Sequence, residues 1–294
     1  MSQVSLSIFA EIAEALAPQQ HQKIKISNVE PISGGDINDA YRFDANNSTL
    51  FVKVNTLSLL EMLKTEAKGL ELLQSQSPFK VPAVIGVFGL KEKACMVMDF
   101  VQTAPKADYY WANFGRSLAS MHQCTASAYG LDHNNYIGSL PQDNTQMETW
   151  EDFFINKRLI PLISLASTKG LLEVSEVEAF MPMIKEISNG LFPTELPALL
   201  HGDLWSGNLM TNERGQPVLI DPAVYYGHRE MDLAMTQLFG GFNKDYFYAY
   251  HEKYPLEKGW QQRLELCNVY PLLVHLILFG RNYWTQIKEV LRKF

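Results

Sequence analysis

Cysteine, basic charge and long apolar runs are all scarce in this sequence. Its 294 residues include three cysteines and no C-x-x-C pair, so a disulfide framework is not expected and a reducing cytoplasm is the natural setting. The net charge of −7 argues against a protein that binds the phosphate backbone of nucleic acids. The most apolar stretch, residues 269–279, is much shorter than the ~20 residues that a membrane-spanning helix needs. We therefore expect a cytoplasmic protein that binds neither nucleic acid nor membrane.

Several catalytic and targeting motifs are also missing. The sequence has no G-K-[ST], which excludes a Walker A loop, and neither G-x-S-x-G nor H-E-x-x-H occurs. Residues 6–16 contain two acids and no basic region before them, so this stretch predicts an amphipathic helix and not a signal peptide.

The remaining pattern predicts an α+β fold with two lobes. A small β-rich N-terminal lobe, residues 1–101, precedes a larger, mainly helical C-terminal lobe, residues 102–294, and a short extended connection joins them. Turn signals such as Gly34-Gly35 and Asn46-Asn47 separate the first strands. The predicted strands are residues 23–32, 40–43, 50–54, 83–88 and 94–99. The predicted helices are residues 59–73, 108–123, 149–168, 174–188, 229–239 and 260–283.

The chemistry is concentrated in residues 200–222. Asp203 is followed by Asn208 five residues later and by Asp221 at the end of an apolar, strand-like run. Phosphoryl transfer needs this set, because one carboxylate takes a hydroxyl proton while an amide oxygen and a second carboxylate hold Mg²⁺ against ATP. Protein kinases have H-R-D-x-x-x-x-N and D-F-G, and this chain has H-G-D-x-x-x-x-N and I-D-P. The spacing predicts a kinase with Asp203 as general base and Asn208 and Asp221 as metal ligands.

The residues around this motif carry weaker signals. Gly202 stands where protein kinases have the arginine that senses a phosphorylated activation loop, which favours a small-molecule kinase. His201 is expected to shape the turn. Asp232 begins a predicted helix, where an acid usually acts as a cap, although it could also brace the catalytic loop. Trp205 could stack on a sugar or an amine, or it could be packed in the core.

Lys53 is the predicted phosphate-positioning lysine. It lies in an apolar strand pattern, and the next helix offers Glu66 thirteen residues later. A strand lysine paired with a helix glutamate is how kinases hold the α- and β-phosphates of ATP. Glu61 and Glu71 are rivals on the same helix. Upstream, Gly34 and Gly35 could bring backbone amides close to phosphate oxygens, or they could form a simple β-turn.

Six segments of the sequence resemble one known family. The strings HGDLWSGN at residues 201–208 and DPAVYYGHRE at 221–230 are the most specific of them. On these motifs the chain resembles the fructosamine-3-kinase (ketosamine-3-kinase) family, which is related to the aminoglycoside phosphotransferases. The resemblance covers residues 30–245. The other segments that carry it are ISGG at 32–35, FVK at 51–53, NYIG at 135–138 and WEDFF at 150–154.

The resemblance implies a protein-kinase-like fold and ATP- and Mg²⁺-dependent phosphorylation of the sugar 3-hydroxyl of ketosamines. Such adducts of amines or protein lysines become unstable once phosphorylated and release the amine. It also implies that residues Asp99, Phe100 and Val101 bind adenine, and it supports Glu66 as the partner of Lys53. Asp36 departs from the family, in which many members have serine at this position.

Two other functions remain open from the sequence. The same residues could phosphorylate an aminoglycoside, choline or an amino sugar. A nucleotide-binding pseudokinase that regulates a partner is disfavoured, because Lys53, Asp203, Asn208 and Asp221 are all present. The sequence indicates neither the physiological ketosamine nor the oligomeric state.

Overall fold

The computed structural model describes residues 3–20, 23–33 and 38–294. Gly34, Gly35 and Asp36, which the sequence places in the phosphate loop, lie outside these residues. The chain forms two compact units, and each is built from separate stretches of sequence. Unit 1 consists of Met1–Ser75, Lys80–Ala107 and Met210–Asp221, and unit 2 of Gln76–Phe79, Asp108–Leu209 and Pro222–Phe294.

The first third of the chain contains a five-stranded sheet and two helices, and helices dominate the remainder. This distribution confirms the predicted α+β class. The strands are β1 (Ile26–Ile32), β2 (Asp39–Ala45), β3 (Ser48–Thr56), β4 (Val84–Gly89), β5 (Lys93–Asp99), β6 (Asn135–Ile137), β7 (Leu140–Gln142), β8 (Ala198–Leu200), β9 (Leu209–Thr211), β10 (Pro217–Leu219) and β11 (Tyr225–Gly227). The helices are α1 (Gln3–Gln20), α2 (Leu60–Gln76), α3 (Tyr110–His122), α4 (Trp150–Phe153), α5 (Ile160–Thr168), α6 (Val174–Glu178), α7 (Met181–Ser188), α8 (Glu230–Leu238), α9 (Asp245–Lys253), α10 (Trp260–Cys267), α11 (Val269–Phe279) and α12 (Trp284–Leu291).

Unit 1 is organised around an antiparallel sheet in the order β1-β2-β3-β5-β4. Successive side chains of a strand point to opposite faces of the sheet, so the side chains of β3 contribute to both faces. Val52 and Val54 join a buried cluster with Phe9 of α1. Lys53 lies between them in sequence and opposite Met96 of β5, and Met96 packs with α2 in the second cluster. The lysine is therefore on the sheet face that α2 covers.

The hairpin of β9 and β10 supplies the last segment of unit 1. Its backbone pairs with two earlier parts of the unit, since the Leu219 N–H donates to the Lys80 carbonyl at 3.0 Å and the Ala107 N–H donates to the Gly215 carbonyl at 3.1 Å. Gly215 has a φ of +71°, and a Cβ on it would lie 2.6 Å from the Ala107 nitrogen. The sequence-based division between residues 101 and 102 differs from these units, because it assigned residues 210–221 to the helical lobe.

Unit 2 is mainly helical, and α3 packs closely against α9. A Cβ on Gly115 of α3 would come within 2.0 Å of the Tyr246 carbonyl oxygen, so only glycine permits this approach. The predicted helix at 149–168 is formed by α4, a π-helical turn at Phe154–Leu159 and α5. Of the helices that the structure describes, none is both long and apolar enough to cross a bilayer.

Two predicted helices of unit 2 were wrong in detail. The helix expected at 174–188 is split before Pro182, and the one at 260–283 is split before Pro271, because proline cannot donate the backbone hydrogen bond that a continuous helix requires. Helices α9 and α12 and the short β6–β7 hairpin were not predicted.

Candidate active site

Lys53 of unit 1 is shared between two carboxylates. Its side chain is 9% exposed, and Nζ donates to Glu66 Oε1 and to Asp221 Oδ1, each at 2.6 Å. The structure thus brings together three residues that the sequence singled out. Of the rival acids on α2, Glu61 pairs with Lys64 at the surface and Glu71 is exposed.

The helical spacing of α2 explains why Glu66 is the acid that reaches Lys53. Leu63, Ala67 and Leu70 face the sheet, and Glu66 lies one turn from Leu63 and Leu70 on the same side. Its side chain is 14% exposed, whereas that of Asp221 is 45% exposed. The lysine is therefore held by one buried carboxylate and one that remains accessible to solvent.

Burial and charge act on these groups in opposite directions. Burial alone lowers the pKa of Lys53, but the neighbouring carboxylates of Glu66 and Asp221 outweigh it and raise the pKa above its ordinary value. Burial raises the pKa of Glu66, a shift that the Lys53 ammonium opposes and the Asp221 carboxylate reinforces. Lys53 is thus firmly cationic.

Asp221 adopts an unusual backbone conformation. Its φ is +53°, in the left-handed region that non-glycine residues seldom occupy, although Asp tolerates it better than most. It follows β10 and precedes Pro222. Such outliers cluster at functional sites, where surrounding structure maintains them.

The predicted adenine segment, Asp99 to Val101, begins at the end of β5. The Asp99 N–H donates to the Ala83 carbonyl at 3.0 Å, and the Arg42 guanidinium lies 5.3 Å from the centre of the Phe100 ring. A cavity of about 290 Å³ runs along this segment within unit 1. Its lining comprises Lys80, Val81, Pro82, Asp99, Phe100, Val101, Asn212, Glu213, Arg214, Gln216 and Val218.

In unit 2, Asn208 is bonded directly to Asp203. The Asn208 Nδ2 donates to the Asp203 carbonyl oxygen at 2.9 Å and to its carboxylate Oδ2 at 3.0 Å. These hydrogen bonds join the two ends of the short loop that runs from the predicted base, Asp203, to the predicted metal ligand, Asn208. They also fix the orientation of the Asn208 side-chain amide.

A buried carboxylate anchors the start of this loop. Asp232 of α8 is 1% exposed and accepts two backbone hydrogen bonds, from His201 N–H at 2.8 Å and from Gly202 N–H at 2.9 Å. Its Oδ2 also lies 3.2 Å from His122 Nε2. Burial lowers the pKa of His122, although Asp232 opposes the shift. Of the two roles open for Asp232, the structure shows bracing of the catalytic loop.

Gly202 is fixed by a close approach within unit 2. Its φ is +82°, and a Cβ would lie 2.1 Å from the Ala223 carbonyl oxygen. The Ala223 N–H in turn donates to the His201 carbonyl at 2.9 Å. The glycine therefore has a packing reason to occupy the position in which protein kinases carry arginine.

Trp205 lies partly exposed next to the loop. Its ring packs against Gly207, on which a Cβ would come within 2.2 Å of the indole. The ring is 39% exposed and makes an edge contact with Phe239, with 6.3 Å between the ring centroids. Trp205 is therefore not fully packed in the core, and its contact with a ligand stays a prediction.

A polar network behind the loop was not recognised from sequence. Asn135 of β6 donates to the Val224 carbonyl at 2.8 Å, and Gln142 of β7 donates to Asn135 Oδ1 at 2.7 Å and to the Ala223 carbonyl at 3.3 Å. The Tyr270 hydroxyl donates to Gln142 Oε1. The available signal in the sequence was the NYIG string, which begins with Asn135. A buried asparagine needs several hydrogen-bond partners, so it indicates a polar network around it.

Arg158 extends this network into the aromatic core of unit 2. It is 1% exposed, and its Nη2 donates to Asn144 Oδ1 at 2.6 Å. Its guanidinium lies 4.2 Å from the centre of the Tyr225 ring and 4.6 Å from that of Phe153. Stacking on aromatic faces partly compensates a buried guanidinium for lost hydration. Arg158 lies in the π-helical turn Phe154–Leu159, and such turns often occur at functional sites.

The oxygen donors present suit Mg²⁺. In phosphate-transferring sites this ion usually takes one or two protein carboxylates and completes its shell with water and phosphate oxygens. Asp221 offers a partly exposed carboxylate, and Asn208 an amide oxygen. Over residues 3–20, 23–33 and 38–294, no group of three or more His, Cys, Asp or Glu side chains could hold a metal ion alone. Carboxylate and amide oxygens are the donors that this ion prefers.

Comparison with known proteins gives one matching family profile and several similar proteins. The fructosamine kinase family profile matches residues 8–294. A "Probable ketoamine kinase" of Enterococcus faecium is 37% identical over 90% of this chain and 95% of its own length. The chloroplastic protein-ribulosamine 3-kinase of Oryza sativa is 32% identical over 97% of this chain and 85% of its own.

Solved structures agree with this comparison. A "Putative fructosamine-3-kinase" from Haemophilus somnus superimposes with a TM-score of 0.89 at 25% identity and covers 97% of both chains. The aminoglycoside phosphotransferase APH(4)-Ia, in a ternary complex with ADP and hygromycin B, has a TM-score of 0.62 at 13% identity over 96% of this chain and 98% of its own. The second likeness shows the fold alone, and it confirms the expected protein-kinase-like architecture.

Proposed function

This chain belongs to the fructosamine kinase family, and from that premise we propose that it transfers the γ-phosphate of ATP to the 3-hydroxyl of ketosamines. The relatives named ketoamine kinase and protein-ribulosamine 3-kinase support this substrate class. Both free and protein-bound adducts are compatible with it. The cytoplasmic setting expected from the composition stays a prediction.

Lys53 binds the phosphates of ATP in this proposal. Its pKa is raised, so it carries a full charge at neutral pH, and Glu66 holds it in place at 2.6 Å. A fixed cation at this position neutralises charge that a loose phosphoryl-transfer transition state spreads over the phosphate oxygens. We assign adenine contacts to Asp99, Phe100 and Val101. Backbone contacts to phosphate are assigned to Gly34 and Gly35.

Asn208 and Asp221 are the proposed Mg²⁺ ligands. When bound with ATP, the ion would neutralise phosphate charge. The chain's own contribution is to present the two oxygen donors. The Asn208 amide is oriented by its two bonds to Asp203, and the Asp221 carboxylate is held through Lys53.

Asp203 is the proposed base. One of its oxygens, Oδ2, accepts from Asn208, which fixes the rotation of the carboxylate. A carboxylate held in this way orients the attacking hydroxyl and accepts its proton as the bond to phosphorus forms. Two backbone bonds to Asp232 hold the chain immediately before it. Trp205, two residues further on, is proposed to contact the substrate.

The observation that carries the proposal is the Lys53–Glu66–Asp221 cluster, because a buried lysine shared by two carboxylates matches what a kinase needs for ATP phosphates. We expect ADP release from ATP that requires both Mg²⁺ and a fructosamine or ribulosamine acceptor. Asp203→Asn should lower this rate on the order of 10²–10⁴-fold while a fluorescent ATP analogue still binds.

Asp132→Asn is the matched control, because that side chain is 86% exposed, and it should keep the wild-type rate. An Asp203→Asn rate within a few-fold of wild type would show that Asp203 is not the base. ADP release with an aminoglycoside, choline or amino sugar, but with no ketosamine, would redirect the assignment to another small hydroxyl compound.

A further inference from the structure

An exposed aromatic strip in unit 2 extends beyond the residues assigned so far. It consists of Trp205, Phe239, His275, Phe279 and Tyr283. Ring centroids are 6.3 Å apart for Trp205 and Phe239 and 4.8 Å apart for Phe239 and His275, and His275 is 5.4 Å from Phe279 and 5.1 Å from Tyr283. Phe239 is 39% exposed and Phe279 is 51% exposed. A continuous apolar surface of this kind marks a binding site more often than single exposed rings do.

The strip is continuous with the catalytic loop. Trp205 stands two residues after Asp203, and its N–H donates to the Asp203 carbonyl at 3.1 Å. Behind it, Gly241 allows the segment after α8 to approach the loop, since a Cβ there would lie 2.5 Å from Ser206 Cβ. That segment includes Phe239. The strip therefore begins at a ring two residues from the proposed base and continues through Phe239 and His275.

Helix α11 supplies the far part of the strip. His275 and Phe279 are four residues apart and so lie on one face of the helix. His275 Nδ1 is 2.7 Å from the Pro271 carbonyl oxygen, so this nitrogen carries the proton and donates it. Its other nitrogen is then an acceptor. Burial lowers the pKa of His275, which keeps the ring neutral near pH 7.

The chemistry of the proposed substrate suggests what this surface binds. In a ketosamine the reacting 3-hydroxyl is two carbons from C1, which carries the amine. With that hydroxyl at Asp203, the group on the amine is the part that extends beyond the sugar. Ring faces attract both apolar groups and a protonated amine, and the neutral acceptor of His275 suits an ammonium donor.

We propose that this aromatic strip is the subsite for the amine-derived part of the ketosamine. It selects ketosamines of amines that bear an apolar chain or ring, such as the methylene chain of lysine, over those of small polar amines. This inference rests on the proposed ketosamine kinase activity.

Two acceptors that share one sugar test the inference, the fructosamines of benzylamine and methylamine. We expect kcat/KM for the benzylamine adduct to be about tenfold higher, mainly through KM, because aromatic stacking adds to simple area burial. Phe279→Ala and Phe239→Ala should each reduce this ratio by about threefold or more. Phe279→Leu, which keeps apolar area without the ring, should reduce it less.

Tyr248→Ala is the matched control, because Tyr248 is a 70% exposed ring of α9 outside the strip and its loss should leave the ratio at the wild-type value. A wild-type ratio near one would overturn the inference, as would a ratio unchanged in both phenylalanine variants. Equal losses for both acceptors would mean that the strip contacts the sugar, which also overturns it. If neither adduct is phosphorylated while ATP binds, the proposed function itself fails and the inference falls with it.

Discussion

The two units hold their candidate site residues by different physical means. In unit 1 a single lysine side chain joins two carboxylates, and one of them, Asp221, is 45% exposed. In unit 2 a carboxylate that is 1% exposed, Asp232, accepts from two backbone N–H groups. The first arrangement fixes charge and leaves the accessible carboxylate able to take another partner. The second fixes the course of the backbone and leaves little freedom in the loop before Asp203.

Removing the positive charge of Lys53 from unit 1 should have the largest effect among the changes that test this difference between the units. In Lys53→Met, Glu66 and Asp221 lose their shared cation, so we expect kcat to fall on the order of 10²–10³-fold and KM for ATP to rise. Breaking a buried ion pair costs about 3–5 kcal/mol, so the free energy of unfolding should also fall. Steady-state kinetics and urea denaturation measure both.

Lys64→Met provides the comparison, because Lys64 pairs with Glu61 at the surface, where an ion pair contributes little. It should match the wild type in both measurements. If Lys53→Met kept its rate within threefold, the charge cluster of unit 1 would have no part in ATP phosphorylation.

Removing the backbone anchor of unit 2 should have the next largest effect. Asp232→Ala leaves the N–H groups of His201 and Gly202 without their carboxylate acceptor, and each buried unsatisfied donor costs about 1–3 kcal/mol. We expect a lower free energy of unfolding and a lower kcat, with little change in KM for ATP. Asp232→Asn keeps one acceptor oxygen, so its free energy of unfolding and its kcat should lie between those of the wild type and Asp232→Ala.

Asp245→Ala, at the exposed first turn of α9, is the control acid and should change neither quantity appreciably. A rise in KM for ATP as large as that of Lys53→Met would contradict the separation of roles between the units.

Mild acid should change the stability of the two units differently, and this is the smallest of the expected effects. Burial lowers the pKa of His228 in unit 2 from 6.5 to about 4, and the His122 pKa is also lowered. Both bind fewer protons when folded than when unfolded, so stability is present above pH 6.5 and is lost as the pH falls toward 4. One pH unit of such a shift is about 1.4 kcal/mol, and pH 5.5 is one unit below the unfolded pKa of 6.5, so His228 should account for a loss of about 1.4 kcal/mol there.

The charged groups of unit 1 behave in the opposite way. The pKa of Glu66 is raised by burial, so its protonation adds stability as the pH falls, and Lys53 loses its contribution only at alkaline pH. At pH 5.5 the protection of backbone amides against hydrogen exchange should therefore fall more in α8 than in α2. His228→Gln should flatten the acid dependence of unfolding. An unchanged slope in that variant would exclude His228 as the titrating group.

The sequence predicted best what depends on local spacing. Lys53 and Glu66 are thirteen residues apart on adjacent elements, and Asp203 and Asn208 are five apart in one loop. The motif H-G-D-x-x-x-x-N indicated the second pair, and the thirteen-residue spacing together with the family resemblance indicated the first. The salt bridge from Lys53 to Asp221 spans 168 residues, and nothing local in either segment indicates it.

The features that were missed depend on tertiary structure. Arg158 resembles any helical arginine in sequence, and only the π-helical turn and the aromatic rings around it explain its burial. Pro182 and Pro271 were visible in the sequence, yet the apolar periodicity across them favoured continuous helices. The pairing of residues 210–221 with unit 1 follows from backbone hydrogen bonds, which leave no signature in side-chain composition.

The late contribution of residues 210–221 to unit 1 has a consequence for biosynthesis. The sheet of β1 to β5 is complete by Asp99, but Asp221, the second carboxylate on Lys53, is the last residue that the unit acquires. A nascent chain can therefore form the sheet early, while the charge cluster waits until residue 221 of 294 has left the ribosome. In a truncated chain that ends at Ala107, we expect Lys53 to pair with Glu66 alone. In the full chain, unit 1 therefore completes its phosphate-binding charge cluster only after much of unit 2 has been synthesised.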